Sequence, residues 1–386
     1  MVSSGGWTIA KAATIAIRYA TVRRQGNKDA DDLERQVITY PSVYHRLLPI
    51  LADAFVFILL GRSLSNAFAT MSSRLAAGDT SLLAEMHATT SGLKVLVSTT
   101  GIQDLETARR SMGGHGYSEF AGIGRMYADY LPSATYEGDN FVLDQQVVRA
   151  ALKSYRHLLS LSSQSSSVLT PSTRYLRFVT AEESPSMADA PSWEDPHTAV
   201  LLLERRAAFM VKERATNDGD PDASVDQRVS KAVTEAFVAA QIDDILKPLL
   251  GRLADREASV VGKLLKLYLL MTVERALTDI LSFDLIPGPT SPTLLHPRDS
   301  TRSVRMAIKQ LCLELLPEAI GLIDAFGFTD WELDSALGVF DGDIYQTLWN
   351  KAQTEPLNHL QVPDGYEEYI KPMLERGQRL AARTKL

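Results

Sequence analysis

The sequence predicts an all-α protein built as two helical-bundle domains. Apolar residues recur three and four apart through most of its 386 residues, strand-like alternation is scarce, and a serine- and proline-rich stretch near the middle parts the helical patterns into two groups. With 45% hydrophobic residues the chain can bury a substantial core, and its length suits two or three domains of ordinary size. The expected organisation is a first helical domain over 1–160, a linker over 161–191 and a terminal helical domain over 192–386.

The first section opens with "WTIAKAATIAIRYATVRRQ", in which alanines dilute the β-branched isoleucines enough to support a helix. The charged "GNKDADDLERQ", beginning at Gly26, reads as a connector. Helical spacing resumes from Tyr44 to about Thr70, with Pro49 either inside the first turns or kinking them. Its apolar run "LLPILADAFVFILLG" is about fifteen residues long and contains Asp53. Roughly 20 residues are needed to cross a bilayer, so a buried helix is expected and no transmembrane segment. The N-terminus has too little basic and apolar organisation for a secretion signal. From Ser81 to Thr99, Leu82, Leu83, Met86, Leu93, Leu96 and Val97 form an apolar stripe, and Gly92 within it either allows a close helix approach or is simply tolerated. Beyond "TYEGDN", residues Val142, Leu143, Val147, Val148, Ala151, Leu152 and Tyr155 mark another helix.

Within the linker, Tyr175 to Val179 reads as a short packed segment. Helical patterns then return at His197–Lys212, Ser224–Asp255, Ala258–Phe283 and Ser303–Ile323, parted by "GDPDA" and "PGPTSPTLLHP". Ser224 is the expected N-cap of the second of these, with Gln227 as its capping-box partner. Asp330, Asp334, Asp341 and Asp343 do not follow calcium-loop spacing and read as helix caps and a turn at "DGD", so no metal site is expected.

Composition narrows the function. A net charge of −7 with no basic stripe gives no footprint for nucleic acid. Cys312, the one cysteine, cannot form an intrachain disulfide and reads as a small buried thiol. There is no P-loop, no GxSxG elbow and no HExxH pair, and His87 lies only two residues from Glu85, on another side of a helix. "RRSMGGHGYS" is more distinctive: Gly113, Gly114 and Gly116 either let a backbone turn approach a ligand closely or simply end a helix. It is not a dinucleotide fingerprint, because a helical pattern and no strand precedes it. "TYEGDN" is open in the same way, since Glu137 is either part of an acidic helix start or a chemical group.

The stretch from "MHATTSGLKVLVSTTGIQDLETARRSMGGHGYS" through "TYEGDN" to the following "QQ" and Arg149 resembles the first C-terminal helical domain of peroxisomal acyl-CoA oxidases. "TIAIRYATVRRQ" upstream and "DWELDSALGVFDGDIYQTLWNKAQTEPLN" downstream extend the resemblance over nearly the whole chain. It implies FAD-dependent oxidation of fatty acyl-CoA by molecular oxygen to trans-2-enoyl-CoA and hydrogen peroxide. Glu137 matches the family's catalytic base, whose pKa an apolar acyl channel would raise. Arg23 matches an arginine near the flavin phosphates, and Gly113 and Gly114 match the loop that approaches FAD, typically across a dimer interface. A homodimer, or pairing with a complete oxidase chain, is therefore implied.

Two departures accompany the resemblance. Gly26 stands where the family commonly has an aromatic residue. Met1 falls where the family is already entering this helical region, so its N-terminal helical and central β domains are expected to be missing and the isolated chain to turn over little acyl-CoA, acting instead as a helical fragment or interaction protein. The terminal Thr384, Lys385 and Leu386 resemble an SKL-type address and, with the family, imply a peroxisomal location.

Overall fold

The computed structural model describes residues 1–160, 169–179, 192–217, 222–286 and 300–383. The fold is all-α apart from one small hairpin. In the first section α1 (Val2–Val22) and α2 (Pro41–Ala76) pack along each other, α3 (Leu83–Ser111) lies against both, and α4 (Ile123–Tyr130) and α5 (Asn140–Ser160) close against α3. The second section brings α6 (Pro196–Thr216), α7 (Ala223–Leu250), α8 (Asp255–Arg275), α9 (Leu277–Ser282) and α10 (Ser300–Leu315), followed by the short α11 (Ala319–Asp324), α12 (Asp330–Leu333) and α13 (Ile344–Ala352) and the terminal α14 (Lys371–Arg383).

One apolar core runs through both sections, from Ile9 and Ile15 on α1 through Leu47 and Phe57 on α2 to Leu264, Leu270 and Ile308 on α8 and α10. Alanines at 10, 12, 13 and 16 keep α1 narrow enough to be buried on nearly all sides. The buried charges between α6, α7 and α9 are paired. Arg206 on α6 bridges Glu235 of α7 and, at 2.8 Å, Asp279 of α9, so each buried charge has a counter-charge.

Several details differ from expectation. The charged connector folds back as an antiparallel hairpin, β1 (Arg24–Lys28) and β2 (Glu34–Gln36), because Asp29 accepts from the N–H groups of Asp31 and Leu33 and pairs with Arg24 at 2.8 Å. Gly26 is required there: its φ is +93°, and a Cβ would stand 2.6 Å from the Tyr40 hydroxyl, which donates to the Gln25 carbonyl.

α2 is also longer than its apolar run suggests. It is 36 residues, begins with Pro41 at its first turn and carries Pro49 inside, and it is long and apolar enough to cross a membrane. Its most apolar window is 72% buried within the fold, as in a core helix. The cap of α7 is Asp222, not Ser224. The Asp222 carboxylate accepts from the Ser224 N–H and hydroxyl, both at 2.8 Å, and its charge suits the positive end of the helix. Most of 161–191 lies outside the described residues, but Tyr175 and Leu176 within it are buried against α6 and α7.

Candidate functional site

Glu137 sits in a turn that the chain forces into an uncommon shape. After the 3₁₀ turn Leu131–Ala134, Glu137 takes φ +54° and Gly138 +102°, and α5 then starts at Asn140. Asp139, not Glu137, caps α5: its carboxylate accepts from the Phe141 N–H at 2.9 Å and its carbonyl from Leu143. A non-glycine residue held at positive φ costs energy that its surroundings must offset. Here Lys94 of α3 supplies that offset. Its ammonium donates to the Gly138 carbonyl and, at 2.8 Å, to Asn140 Oδ1, while Asn140 Nδ2 donates to Ser98 Oγ at 3.0 Å. Burial lowers the Lys94 pKa, and the nearby Asp139 and Glu137 carboxylates oppose that shift.

The turn closes one side of a cavity of about 470 Å³ lined also by Leu64 and Phe68 of α2 and Met86, His87 and Lys94 of α3. His87 Nε2 bonds Gln146 Oε1 of α5. The Glu137 side chain is 59% exposed, and the Met1 amino group lies 3.3 Å from its Oε2. The described residues therefore hold the carboxylate in place without enclosing it in the apolar channel that the resemblance implied.

Arg23 lies at the other end of α1. Its guanidinium donates to the Tyr345 hydroxyl at 3.2 Å and to Gln25 Oε1 at 3.4 Å, and its bond to Tyr345 is the main cause of its raised pKa. Its Nε is buried without a partner among the described residues. One turn back, Tyr19 meets His115 Nδ1 at 2.9 Å, which ties α1 to the 3₁₀ turn Gly113–Tyr117. Gly113 has φ +61°, and no atom lies within 4 Å of where a Cβ would stand on either Gly113 or Gly114. Arg23 and the two glycines therefore share one end of α1. Glu137 is near the other, roughly 30 Å away along a helix of 21 residues.

Sequence reasoning singled out Glu137, Arg23, Gly113 and Gly114 but missed Lys94. The available signal was a charge among Leu93, Leu96 and Val97, because a lysine on an apolar stripe needs a specific partner. The four terminal aspartates fill structural roles. Asp330 accepts from the Phe340 N–H and lies 3.6 Å from Arg18, Asp334 pairs with Arg125, and Asp341 accepts from the Asp343 N–H. Thr329 and Glu332 form the capping box of α12.

Residues 1–152 match the family model "Acyl-CoA oxidase, C-alpha1 domain", and residues 198–375 match "Acyl-CoA oxidase". Among curated proteins, the chain is 32% identical to peroxisomal acyl-coenzyme A oxidase 1 of Arabidopsis thaliana over 99% of its length and 56% of that protein. It is 31% identical to the Mus musculus protein of the same name, over 97% and 56%. Among solved structures it is similar to Arabidopsis thaliana acyl-CoA oxidase 1, with TM-score 0.85 and 30% identity, covering 97% of this chain and 56% of that one. The same coverage, with TM-score 0.83 and 27% identity, relates it to Caenorhabditis elegans acyl-CoA oxidase-1 complexed with FAD and ATP. The chain thus spans about 56% of the length of the relatives it matches, and their peroxisomal names support the peroxisomal location expected from the sequence, although Thr384–Leu386 lie outside the described residues. Both matched regions are acyl-CoA oxidase models, and the chain belongs to the acyl-CoA oxidase family, corresponding to that family's helical C-terminal portion.

Proposed function

We propose that the protein serves FAD-dependent oxidation of fatty acyl-CoA to trans-2-enoyl-CoA with hydrogen peroxide formation, with Glu137 as the base. The observation that carries this reading is the Glu137 turn: a carboxylate in a strained left-handed conformation, fixed from behind by Lys94 and Asn140 and facing a cavity. Such a turn delivers Glu137 at a set position, where its carboxylate takes the α-proton of the acyl thioester. Lys94 keeps its ammonium on the backbone carbonyl, so the turn is held without occupying the basic oxygens.

Arg23, Gly113 and Gly114 fit a flavin pyrophosphate. An unpartnered guanidinium N–H and an open backbone face are donors for an anion. When bound, FAD supplies the acceptor for the substrate's β-hydride and passes the electrons to oxygen. The roughly 30 Å between Arg23 and Glu137 favours a dimer in which the two ends serve different halves of a composite site. The two helical sections, 1–160 and 192–386, act in this reading as one scaffold joined through 161–191, and α2 is a core helix of it.

The test is oxygen uptake and peroxide release by the purified chain with FAD and acyl-CoA of several chain lengths. Glu137→Gln should lower turnover at least 100-fold with an unchanged circular dichroism spectrum; equal turnover in the variant would remove Glu137 as base. The exposure of Glu137 supports a second reading, a noncatalytic helical protein that pairs with another oxidase chain. A folded chain without flavin binding or peroxide release, forming a heteromer with a complete oxidase, is its expected outcome.

A further inference from the structure

A second cavity among the described residues is separate from the Glu137 cavity. It measures about 670 Å³ and lies between α3, α5, α7 and the 169–176 segment, where the two sections meet. That volume falls within the range of small-molecule sites. Most of its wall surface is apolar, from Ala88, Val147, Ala151, Leu176 and Phe237 among others, interrupted by serines and threonines such as Ser154 and Thr234. Its polar lining is uneven. Glu85 already accepts from Ser172 Oγ at 2.7 Å, whereas Lys153 and His157, one helical turn apart on α5, both line the cavity and are exposed, with no ion pair among the described residues. A largely apolar cavity with two basic groups on one wall that have no ion pair among the described residues is complementary to a molecule with an aliphatic tail and a single anionic head.

We propose that this cavity is a second binding site, for a medium-chain carboxylate whose tail packs against Ala88, Val147, Ala151 and Phe237 and whose head meets Lys153 and His157. The site does not depend on the oxidase reading, since neither Glu137 nor Arg23 lines it. It does adjoin the Glu137 cavity indirectly. A smaller cavity of about 270 Å³ shares Glu85, Thr89 and Phe237 with the large one and Leu64 and Met86 with the Glu137 cavity. The first turns of α3 are therefore a common wall, and the same helix carries Lys94 to the Glu137 turn.

The experiment is calorimetric titration of the purified chain with sodium dodecanoate below its micellar concentration, with dodecyltrimethylammonium as a probe of the same tail and opposite charge. Dodecanoate should bind once per chain and at least tenfold tighter than the cationic probe. Lys153→Glu should remove that preference. Ala88→Phe and, from the opposite wall, Ala150→Phe should each weaken dodecanoate at least tenfold, and the variant that keeps the wild-type circular dichroism spectrum and melting temperature is the one scored. Binding should persist in Phe68→Trp, which narrows the Glu137 cavity instead. Absence of saturable binding, equal affinity for both probes, survival of binding in the cavity-filling variants, or its loss in Phe68→Trp would each overturn the site.

Discussion

Lys94 shows how one residue links the fold to its proposed chemistry. It is buried on α3, and its ammonium holds the backbone of the turn that carries Glu137. Lys94→Met removes the donor and leaves the Gly138 carbonyl and Asn140 Oδ1 short of a partner, so stability should fall by about 1–3 kcal/mol. Urea denaturation checks this, and an unchanged midpoint would remove Lys94 from that role. A second buried group gives a pH dependence. Asp53 of α2 and Asp104 of α3 lie within hydrogen-bonding reach of each other, each with one oxygen lacking a partner, and Arg275 of α8 stands 3.9 Å from Asp53. Burial pushes Asp53 up to about 6, and burial together with the Asp53 charge raises Asp104 well above the usual carboxylate range. The folded state therefore binds these protons more tightly than the unfolded chain. Their stabilising contribution is complete below about pH 4, declines as pH rises through about 6, and is lost once Asp104 ionises. Tyr268 of α8, Glu235 of α7 and Tyr130 of α4 share this region and remain in a variant at Asp104. Asp104→Asn should flatten the fall in stability as pH rises above about 4; parallel wild-type and variant curves by urea denaturation would reject the shared-proton account.

At the scale of elements, the crossing of α3 and α7 depends on a missing side chain. A Cβ on Gly92 would lie 2.3 Å from Thr234 Oγ1 and 3.4 Å from its Cβ, and Thr234 is buried with its hydroxyl bonded to the Ser230 carbonyl. Turning Thr234 aside would give up its buried bond to the Ser230 carbonyl, so Gly92→Ala should destabilise the protein by about 1–3 kcal/mol despite alanine's better helix propensity. A raised urea midpoint in that variant would show that the helices can separate at little cost. The close approach at Gly92 was half legible in the sequence: a glycine inside an apolar helical stripe either allows a close crossing or is simply tolerated, and Thr234 opposite it decides between the two. The hairpin at Arg24–Gln36 was not, since its strands carry charged residues without alternation and are held by Asp29 and Tyr40. The cap of α7 was misplaced by two residues because Ser224 and Asp222 are both good caps, and sequence gives no geometry to choose between them.

For the whole molecule, the motifs were readable but their separation was not. Glu137, Arg23 and the glycine pair stand out as letters, whereas only the burial of α1 through the core reveals that it sets two of them at opposite ends of one rigid helix. That arrangement makes a discriminating prediction about flavin. Arg23 presents a charged donor without a partner at Nε, and a hydrogen bond to a charged group contributes about 1.5–3 kcal/mol, so Arg23→Ala should weaken FAD binding by a factor of roughly 10 to 150. Glu137→Gln, roughly 30 Å away and exposed, should leave flavin affinity within about twofold. If the two ends serve one site only through a second copy, FAD should also shift the chain toward dimer in sedimentation velocity, and Arg23→Ala should abolish that shift while Glu137→Gln retains it. Quenching of flavin fluorescence measures the affinities. Equal loss in both variants would place Glu137 at the cofactor's anchoring end and contradict the composite arrangement, and tight flavin binding by a strict monomer would do the same by showing that one chain suffices.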